Sequence, residues 1–245
     1  MSAPSRKQRE IAQRERLVLD VAARLLVERG YLGLTMDRIA AATEYSKGTI
    51  YQHFSNKEEI LAALALESSS RRVALFERAS TFSGRARERL CAVGVAASLF
   101  VDLHPLHFQV ESIVHAQSIR QKASEARIRR LEDSELACMN IVLGLIRDAV
   151  AQGDLELEEE DQAQMMVLGL WSMSTGFHHL SSIEGDPIVG KLGLAEPGAA
   201  LFRCYDRFLD GCGWRPLARD WDYPSILERI HLEVFSDEFN RLSAR

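Results

Sequence analysis

Residues 46–60 of this chain read Ser-Lys-Gly-Thr-Ile-Tyr-Gln-His-Phe-Ser-Asn-Lys-Glu-Glu-Ile, and this stretch decides the fold. The serine at its start can cap a short helix in which Ile50 and Phe54, four residues apart, share one face. Asn56, with Glu59 three residues later, has the pattern of a capping box, which predicts that another helix begins there. The stretch therefore predicts two helices joined by a tight turn.

The segment before this stretch predicts two further helices. Apolar residues at three- and four-residue spacing indicate a first helix over about residues 7–29. Gly30 follows it, at a position where a helix end favours a residue that can adopt a left-handed conformation. Thr35 can cap a short second helix over about residues 36–43, with Asp37 near the positive end of its dipole. A packing helix followed by two short helices is the plan of a helix-turn-helix domain, whose last helix enters the major groove of DNA.

One face of the helix that follows Ser46 carries groups suited to DNA recognition. Lys47 and Tyr51 are four residues apart and share a face that also holds short hydroxyl side chains. Gly48 lets the backbone come close to a phosphate or a base. Lys57 stands at the start of the next helix, where free N–H groups and the helix dipole favour a phosphate. Because the major groove displays a distinguishable pattern of donors and acceptors, this face predicts sequence-specific contact.

The distribution of charge agrees with a DNA-binding head. The chain of 245 residues has a formal net charge of −5, which by itself argues against a polyanionic partner. Residues 1–57, however, hold ten Lys or Arg and six Asp or Glu, a net of +4, while residues 58–245 hold twenty and twenty-nine, a net of −9. A basic head on an acidic body indicates that the head meets a nucleic acid, although so small an excess also arises by chance.

Composition and missing motifs exclude several other classes of protein. The chain has the hydrophobic and charged content of a soluble globular protein, and no run is long enough to span a membrane. Its N-terminus lacks the apolar core of a secretory signal, so we expect a cytoplasmic protein. Neither the four cysteines nor the histidines have the spacing of a metal site, and we find no catalytic or nucleotide-binding signature. We therefore expect no metal, no cofactor and no enzymatic activity.

The residues quoted above resemble the DNA-binding head of the tetracycline-repressor (TetR) family over about residues 10–65. The matching positions are Gly30-Tyr31, Thr35, Ile39-Ala40, Ser46 to Phe54 and Asn56 to Ile60. The turn departs from the family pattern, because Thr43-Glu44-Tyr45 stands where the family commonly has Ala-Gly-Val. A glutamate there is strained if the position requires a positive φ. The alternative for the whole segment is an ordinary helical hairpin.

The resemblance implies roles for individual residues of the head. Thr35 would contact a phosphate, Tyr51 and Lys57 would contact the phosphate backbone, and Lys47 and Gly48 would approach base edges. The implied DNA-binding set is Thr35, Ser46, Lys47, Gly48, Thr49, Tyr51, Gln52, His53 and Lys57. Core packing of the Tyr51 ring and a structural cap by His53 remain alternatives. The arginine-rich start of the first helix adds phosphate or minor-groove contacts, or it is a disordered tail.

The whole chain predicts an all-α fold with a helix-turn-helix domain over residues 1–60 and a larger helical domain over residues 61–245. Helices are expected over about residues 84–103, 105–121, 124–152, 162–183, 199–209 and 224–242, with a Gly- and Pro-rich loop over residues 184–198. The helix over residues 162–183 is apolar on almost all sides, which predicts burial. The last helix packs on the body or extends a dimer interface, and the sequence leaves both open.

The resemblance also implies a homodimer on a palindromic operator, with the helices over 162–183 and 199–209 paired between subunits. It further implies a small-molecule site in the body. Candidate lining residues are polar or aromatic groups in apolar stretches, namely Phe100, His104, His107, Phe108, Glu111 and His115, and separately Trp171, Thr175 and His178. Each of them can equally be an ordinary core residue.

The predicted function is a transcriptional repressor that a small hydrophobic or aromatic effector releases from double-stranded DNA. The alternative is a helix-turn-helix DNA-binding protein with no small-molecule effector, which a protein partner controls or which acts architecturally.

Overall fold

The computed structural model describes residues 5–182 and 188–244 of the chain. Within these ranges every regular element is helical, which confirms the all-α prediction. In chain order the α-helices are α1 (Arg6–Gly33), α2 (Met36–Thr43), α3 (Lys47–His53), α4 (Lys57–Ser80), α5 (Ala86–Leu103), α6 (Pro105–Val114), α7 (Gln117–Arg120), α8 (Glu125–Ala151), α9 (Gln162–Ser181), α10 (Ile188–Lys191), α11 (Pro197–Gly211), α12 (Tyr223–Glu233) and α13 (Ser236–Ser243).

The chain forms two compact units. The first unit contains Met1–Ser70 and His104–Glu135, and the second contains Arg71–Leu103 and Leu136–Arg245. Helices α4 and α8 contribute residues to both units. The domain boundary between residues 60 and 61 remains a prediction, since these units describe packing within the chain.

One apolar cluster holds the first unit together. Ile50 and Phe54 of α3 are 0% and 2% exposed, which confirms that this pair faces the core. They join buried residues of α1 and α2, and Val110 and Val114 of α6 belong to the same cluster. Helices α1, α2, α3 and α6 therefore share one core.

Gly30 allows α1 to bend before the second helix begins. Its φ of 65° and ψ of −178° are non-helical, and a further helical turn follows it up to Gly33. The predicted need for a glycine at this helix end is confirmed, because a positive φ is costly for residues with a Cβ. The amide of Leu34 donates to the carbonyls of Gly30 and Tyr31, at 3.2 and 3.3 Å, and so ties the bent turn.

The three predicted helix caps are confirmed. The side-chain oxygens of Thr35, Ser46 and Asn56 accept hydrogen bonds from amides three residues later, at 3.3, 3.1 and 2.8 Å. The Glu59 half of the predicted capping box is directed elsewhere. Its carboxylate accepts a hydrogen bond from the Ser124 amide and pairs with Arg127 at 2.8 Å.

Glu44 ends α2 in the left-handed region, with φ 58° and ψ 20°. Among the described residues it is the only one other than glycine with a positive φ. The expectation that this departure from the family pattern carries strain is confirmed, because an L-residue in this conformation costs about 1–2 kcal/mol.

Replacing Glu44 with glycine is expected to raise the free energy of unfolding by about 0.5–1 kcal/mol. The relief of left-handed strain exceeds the entropy that glycine adds to the unfolded chain. Urea unfolding followed by circular dichroism measures the change. The matched control, Glu28→Gly at an exposed helical position, is expected to lower stability by about 1 kcal/mol. A loss of stability in Glu44→Gly would contradict the assigned strain.

Two predicted helices are interrupted in the structure. The helix expected over residues 105–121 consists of α6 and the short α7, with a break at residues 115 and 116. The single helix expected over residues 224–242 is wrong, because α12 ends before Val234 and α13 begins at Ser236. Phe235, between them, is fully buried, so the chain turns there to place its ring in the core.

The C-terminal helices pack on the second unit. Both α12 and α13 contact α5. Arg78 donates to both carboxylate oxygens of Glu238, at 2.9 and 2.8 Å, and to the Val234 carbonyl at 2.7 Å. Of the two placements that the sequence left open, packing on the body is the one observed within the chain.

Helix α9 is not buried on all sides, so that expectation is wrong for the single chain. Met166 and Val167 are buried, whereas Met165, Leu168 and Trp171 are 55%, 62% and 37% exposed. Helices α5, α10 and α11 pack against α9 and cover one face only. The remaining face is an apolar surface that nothing in the described chain covers.

Among the described residues, no single helix is long and apolar enough to cross a membrane, although α5 and α6 together reach that length and hydropathy. Of the loop predicted over residues 184–198, residues 184–187 lie outside the described residues. The prediction is wrong for Ile188–Lys191, which form α10, and for the last two residues, which begin α11.

Candidate nucleic-acid interface

Helix α3 presents one polar face to solvent and buries the opposite one. Lys47, Gly48 and Gln52 are exposed, and Tyr51 is 51% exposed, while Ile50 is fully buried. The exposure of the Tyr51 ring disfavours the core-packing alternative for this residue. The fold therefore leaves the face that the sequence predicts for DNA free of contact with the first unit's core.

Two hydroxyl groups mark the start of α3. Ser46 and Thr49 lie with their side-chain oxygens 2.9 Å apart, and Ser46 also accepts from the Thr49 amide. Ser46 is exposed and Thr49 is half-buried. Since a hydroxyl both donates and accepts, these groups can cap the helix and still bond to a phosphate or a base edge.

Lys47 is held by a carboxylate from the preceding helix. Its Nζ lies 2.7 Å from Oδ1 of Asp37, the residue predicted to sit in the first turn of α2. Hydrogen bonding to Asp37, followed by the attraction between the charges, raises the pKa of Lys47, so its ammonium is fully charged at neutral pH. The sequence did not reveal this pairing, which joins the first turns of two helices.

His53 is turned toward α1. Its Nδ1 lies 3.3 Å from Oε1 of Glu15, and the ring is only 10% exposed. This placement favours the structural alternative for His53, whose ring links the end of α3 to α1. Thr35, which precedes α2, is half-buried with its hydroxyl occupied as the α2 cap.

Lys57 lies against Tyr31 at the start of α4. Its Nζ donates to the Tyr31 carbonyl at 3.1 Å and lies 3.9 Å from the centre of the Tyr31 ring. The Tyr31 hydroxyl in turn donates to Glu58 at 2.9 Å, and burial together with this bond raises the pKa of Tyr31 to about 12. The bend at Gly30 places Tyr31 here, so Tyr31 is a positioning residue that the helix-turn-helix pattern alone does not reveal.

Gly48 has open space where a side chain would project. A Cβ built there meets only the Ser46 hydroxyl, at 3.7 Å, which is ordinary contact. The fold itself therefore does not require a glycine at this exposed position. Close approach of DNA does require one, because a helix in the major groove lies against base edges and backbone.

Replacing Gly48 with alanine is expected to weaken operator binding about tenfold or more while leaving stability unchanged or slightly higher. The methyl group finds room in the free protein, and alanine favours helix over glycine. Fluorescence anisotropy with labelled DNA and urea unfolding measure the two effects. Gly144→Ala is the matched control, because Gly144 is helical with nothing within 4 Å of its built Cβ. Equal DNA affinity in both variants would contradict the close approach.

The basic start of α1 is helical from Arg6 onward, with Ser5 as its cap, so this part is not a disordered tail. Arg6 pairs with Glu10 at 2.9 Å, and Arg16 pairs with Asp20 and Glu67 at 3.1 and 3.0 Å. These pairs are largely exposed, and such pairs exchange readily for other partners, including phosphates.

A group of polar contacts joins the turn before α4 to the start of α8, within the first unit. The Asn56 side chain donates to the Lys122 carbonyl at 3.0 Å, and the Lys122 ammonium lies 3.5 Å from Glu58. Arg127 pairs with Glu59 and lies 5.6 Å from the centre of the Phe54 ring. These partners are more than sixty residues apart in sequence, so no local pattern predicted them.

The candidate effector residues of the first unit lie on or beside α6. The rings of His104 and His107 are 5.5 Å apart, and Nδ1 of His107 lies 2.6 Å from the Ser68 hydroxyl of α4. Phe108 and Glu111 are buried. His115 is half-exposed and lies 3.7 Å from Glu135, so it faces away from this group.

The remaining candidates belong to the second unit. Phe100 is buried, with the Arg72 guanidinium 5.8 Å from its ring centre. His178 is buried, and burial lowers its pKa to about 4, so it is neutral at pH 7. Trp171 and Thr175 are exposed on the open face of α9. Over the described residues, no group of three or more His, Cys, Asp or Glu could hold a metal ion.

Comparison with known proteins agrees with this geometry. Residues 18–64 match the family described as bacterial regulatory proteins, tetR family. The chain is 27% identical over 140 residues to the fatty acid metabolism regulator protein of Bacillus subtilis, covering 57% of this chain and 69% of that protein. It is 39% identical over 62 residues to the transcriptional repressor AcnR of Corynebacterium diphtheriae, covering 25% of this chain but only 33% of the repressor.

Solved structures resemble the fold over most of its length. A bacterial regulatory protein of the tetR family from Rhodococcus RHA1 superposes with a TM-score of 0.63 at 18% identity, covering 82% of this chain and 98% of that one. The capped α2 and α3, with a polar face on α3, define a helix-turn-helix DNA-binding protein. Over residues 18–64 the chain matches the TetR family of bacterial regulatory proteins, which supports a DNA-binding transcriptional regulator.

Proposed function

We propose that the protein is a dimeric repressor that binds a palindromic operator in the cytoplasm through α3 and is released by a small apolar effector. The exposed polar face of α3, set on a helix whose other face is buried, carries this proposal. The residues proposed to touch DNA are Thr35, Ser46, Lys47, Gly48, Thr49, Tyr51, Gln52 and Lys57, with His53 supporting α3 from inside.

Dimer formation is supported by the uncovered apolar face of α9. Met165, Leu168 and Trp171 expose large apolar surface, and such a patch marks an interaction site. A second copy of the same face suits it, because a two-fold axis pairs identical surfaces and matches two half-sites one helical turn apart. Sedimentation equilibrium is expected to give twice the mass of the 27.5 kDa chain.

Effector control is supported by the position of α6. Val110 and Val114 pack in the same core as the DNA-binding helices, while His107, Phe108 and Glu111 stand on the same helix. A ligand that displaces α6 therefore disturbs the packing that orients α3. For release, the ligand must bind the DNA-free state more tightly than the DNA-bound state.

The operator and the effector are found by two separate experiments. Sequencing of DNA fragments retained by the purified protein is expected to give a motif with two-fold symmetry. A thermal-shift screen then tests hydrophobic compounds, including fatty acids because one relative regulates fatty acid metabolism. A compound that stabilises the protein and releases the operator supports effector control. A screen without such a compound favours the alternative, a DNA-binding protein controlled by a protein partner.

A further inference from the structure

The ion pair between Asp37 and Lys47 lies on the surface that α2 and α3 would present to DNA. The side chains are 67% and 61% exposed, and their charged atoms are 2.7 Å apart. The neighbouring cation, Arg38, is directed to the Gly33 carbonyl at 2.7 Å, so Lys47 is the cation that Asp37 holds. A carboxylate on this surface is unfavourable for DNA binding in general, because it repels phosphates.

We propose that Asp37 is a positioning residue that makes Lys47 read guanine and disfavours its binding to phosphate. The proposal rests on the proposed placement of Lys47 in the major groove. It assigns to Asp37 a role beyond its favourable position in the first turn of α2.

The geometry of the ammonium explains the preference for guanine. Lysine has three N–H donors, of which Asp37 accepts one, and two remain for other acceptors. Guanine presents two neighbouring acceptors in the major groove, O6 and N7. These acceptors carry no formal charge, so they can approach Lys47 while Asp37 stays in place.

A phosphate meets a different environment at the same site. It brings a negative charge close to the Asp37 carboxylate. Binding of the phosphate is therefore weakened, either by repulsion between the two charges or by loss of the ion pair between Asp37 and Lys47. The pair therefore lowers affinity for the DNA backbone more than affinity for guanine. Specificity is a difference between two affinities, and Asp37 raises it by weakening the competing mode.

The test compares the wild type with Asp37→Asn on two labelled duplexes. One is a 30-base-pair duplex that the wild type selects from a random-sequence library, and the other is a scrambled duplex of the same composition. Asp37→Asn is expected to bind the scrambled duplex about three- to tenfold more tightly, with a salt dependence steeper by about two units for a dimer. The Lys47→Met variant identifies the base pair that Lys47 reads, because discrimination between bases is lost there. At this base pair, the preference of Asp37→Asn for guanine over the other bases is expected to fall from about tenfold to below threefold.

Three further variants make the outcome decisive. Glu28→Gln removes one exposed negative charge from α1 and measures the general effect of charge on the head. Asp37→Glu keeps the carboxylate and is expected to keep the preference for guanine. In a Lys47→Met background, Asp37→Asn is expected to leave the base preference at that position unchanged, because the interaction between the two sites is gone.

Two results would overturn the proposal, and they have different meanings. If Asp37→Asn matches Glu28→Gln on both duplexes and keeps the preference for guanine, Asp37 does not position Lys47. If Lys47→Met leaves affinity and base preference unchanged, Lys47 does not lie in the groove, and the proposed DNA-binding surface fails together with the inference.

Discussion

The double variant Tyr51→Ala, Lys57→Ala is expected to lower operator affinity about a hundredfold or more, which abolishes the shifted band in a gel-shift assay. Tyr51 is exposed on α3, and Lys57 stands at the first turn of α4, where helix N-termini favour phosphates. Each substitution removes a proposed donor to the DNA backbone. In a dimer both losses occur twice, and four contacts of about 1 kcal/mol each exceed two orders of magnitude in affinity.

The salt dependence separates lost contacts from other causes. Loss of one lysine–phosphate contact per subunit is expected to reduce the slope of log affinity against log salt by about two units for a dimer. Because Lys57 also donates to the Tyr31 carbonyl, Lys57→Ala loosens the turn that positions it. Lys57→Met keeps an apolar stem over the Tyr31 ring, so a similar loss in that variant assigns the effect to the charge.

A cation outside the proposed surface provides the matched control. Arg129 of α8 belongs to the first unit, is largely exposed and pairs with Glu125. Arg129→Ala is expected to leave operator affinity within about threefold, since exposed pairs of this kind contribute little. If the double variant kept full operator affinity with the dimer intact, the proposal that α3 and α4 form the DNA-binding surface would be wrong.

The sequence was most informative where local chemistry decides the structure. The caps at Thr35, Ser46 and Asn56 involve amides three residues away, so side-chain type and spacing were sufficient to predict them. The strain at Glu44 followed from the turn pattern in the same way. The polar face of α3 also follows from the helical spacing of its apolar residues, because Ile50 and Phe54 determine which side of the helix is buried.

Contacts between distant segments could not be predicted from local pattern. The sequence predicted that His53 contacts DNA or caps the end of its helix, but it did not predict that the ring faces Glu15, thirty-eight residues earlier. Lys57 reads as a free cation, yet Tyr31 holds it. Both pairings depend on the angle at which α1 crosses the following helices, which the bend at Gly30 sets.

Helix α9 shows a second limit, since burial depends on what surrounds a helix as well as on its composition. Its apolar residues predict burial, and the single chain covers one side of it only.

The C-terminal segment shows a third limit of prediction from the sequence. A continuous apolar stripe over residues 224–242 predicts one helix, but burial of Phe235 and the Arg78 bond to the Val234 carbonyl divide it into two.

Replacing Arg87 with methionine is expected to lower the free energy of unfolding by about 3–5 kcal/mol. Arg87 of α5 is 1% exposed. Its guanidinium donates to the carbonyls of Trp214 and Pro216, at 2.6 and 2.8 Å. It also lies 3.3 and 2.7 Å from the carboxylates of Asp206 and Asp210 on α11.

The size of the effect follows from what the substitution leaves behind. Methionine fills similar space, so little packing is lost, but the two carbonyls and the partly buried carboxylates of Asp206 and Asp210 lose their shared donor. Breaking a buried ion pair by removing one partner costs about 3–5 kcal/mol, because the other charge stays uncompensated. Urea unfolding monitored by tryptophan fluorescence measures the loss. Arg207→Met, at an exposed position of α11, is the control and is expected to change stability by less than about 0.5 kcal/mol.

The effect should also depend on pH, in a direction that a packing defect does not produce. Burial raises the pKa of Asp206, whereas hydrogen bonds from Tyr223 and Arg87 oppose that rise. Without Arg87 the folded-state pKa of Asp206 rises further above its unfolded value. An ionised Asp206 then opposes folding, and protonation removes the penalty as pH falls toward the raised pKa. The destabilisation by Arg87→Met is therefore expected to be smaller at pH 5 than at pH 8, and an equal loss at both pH values would assign it to packing.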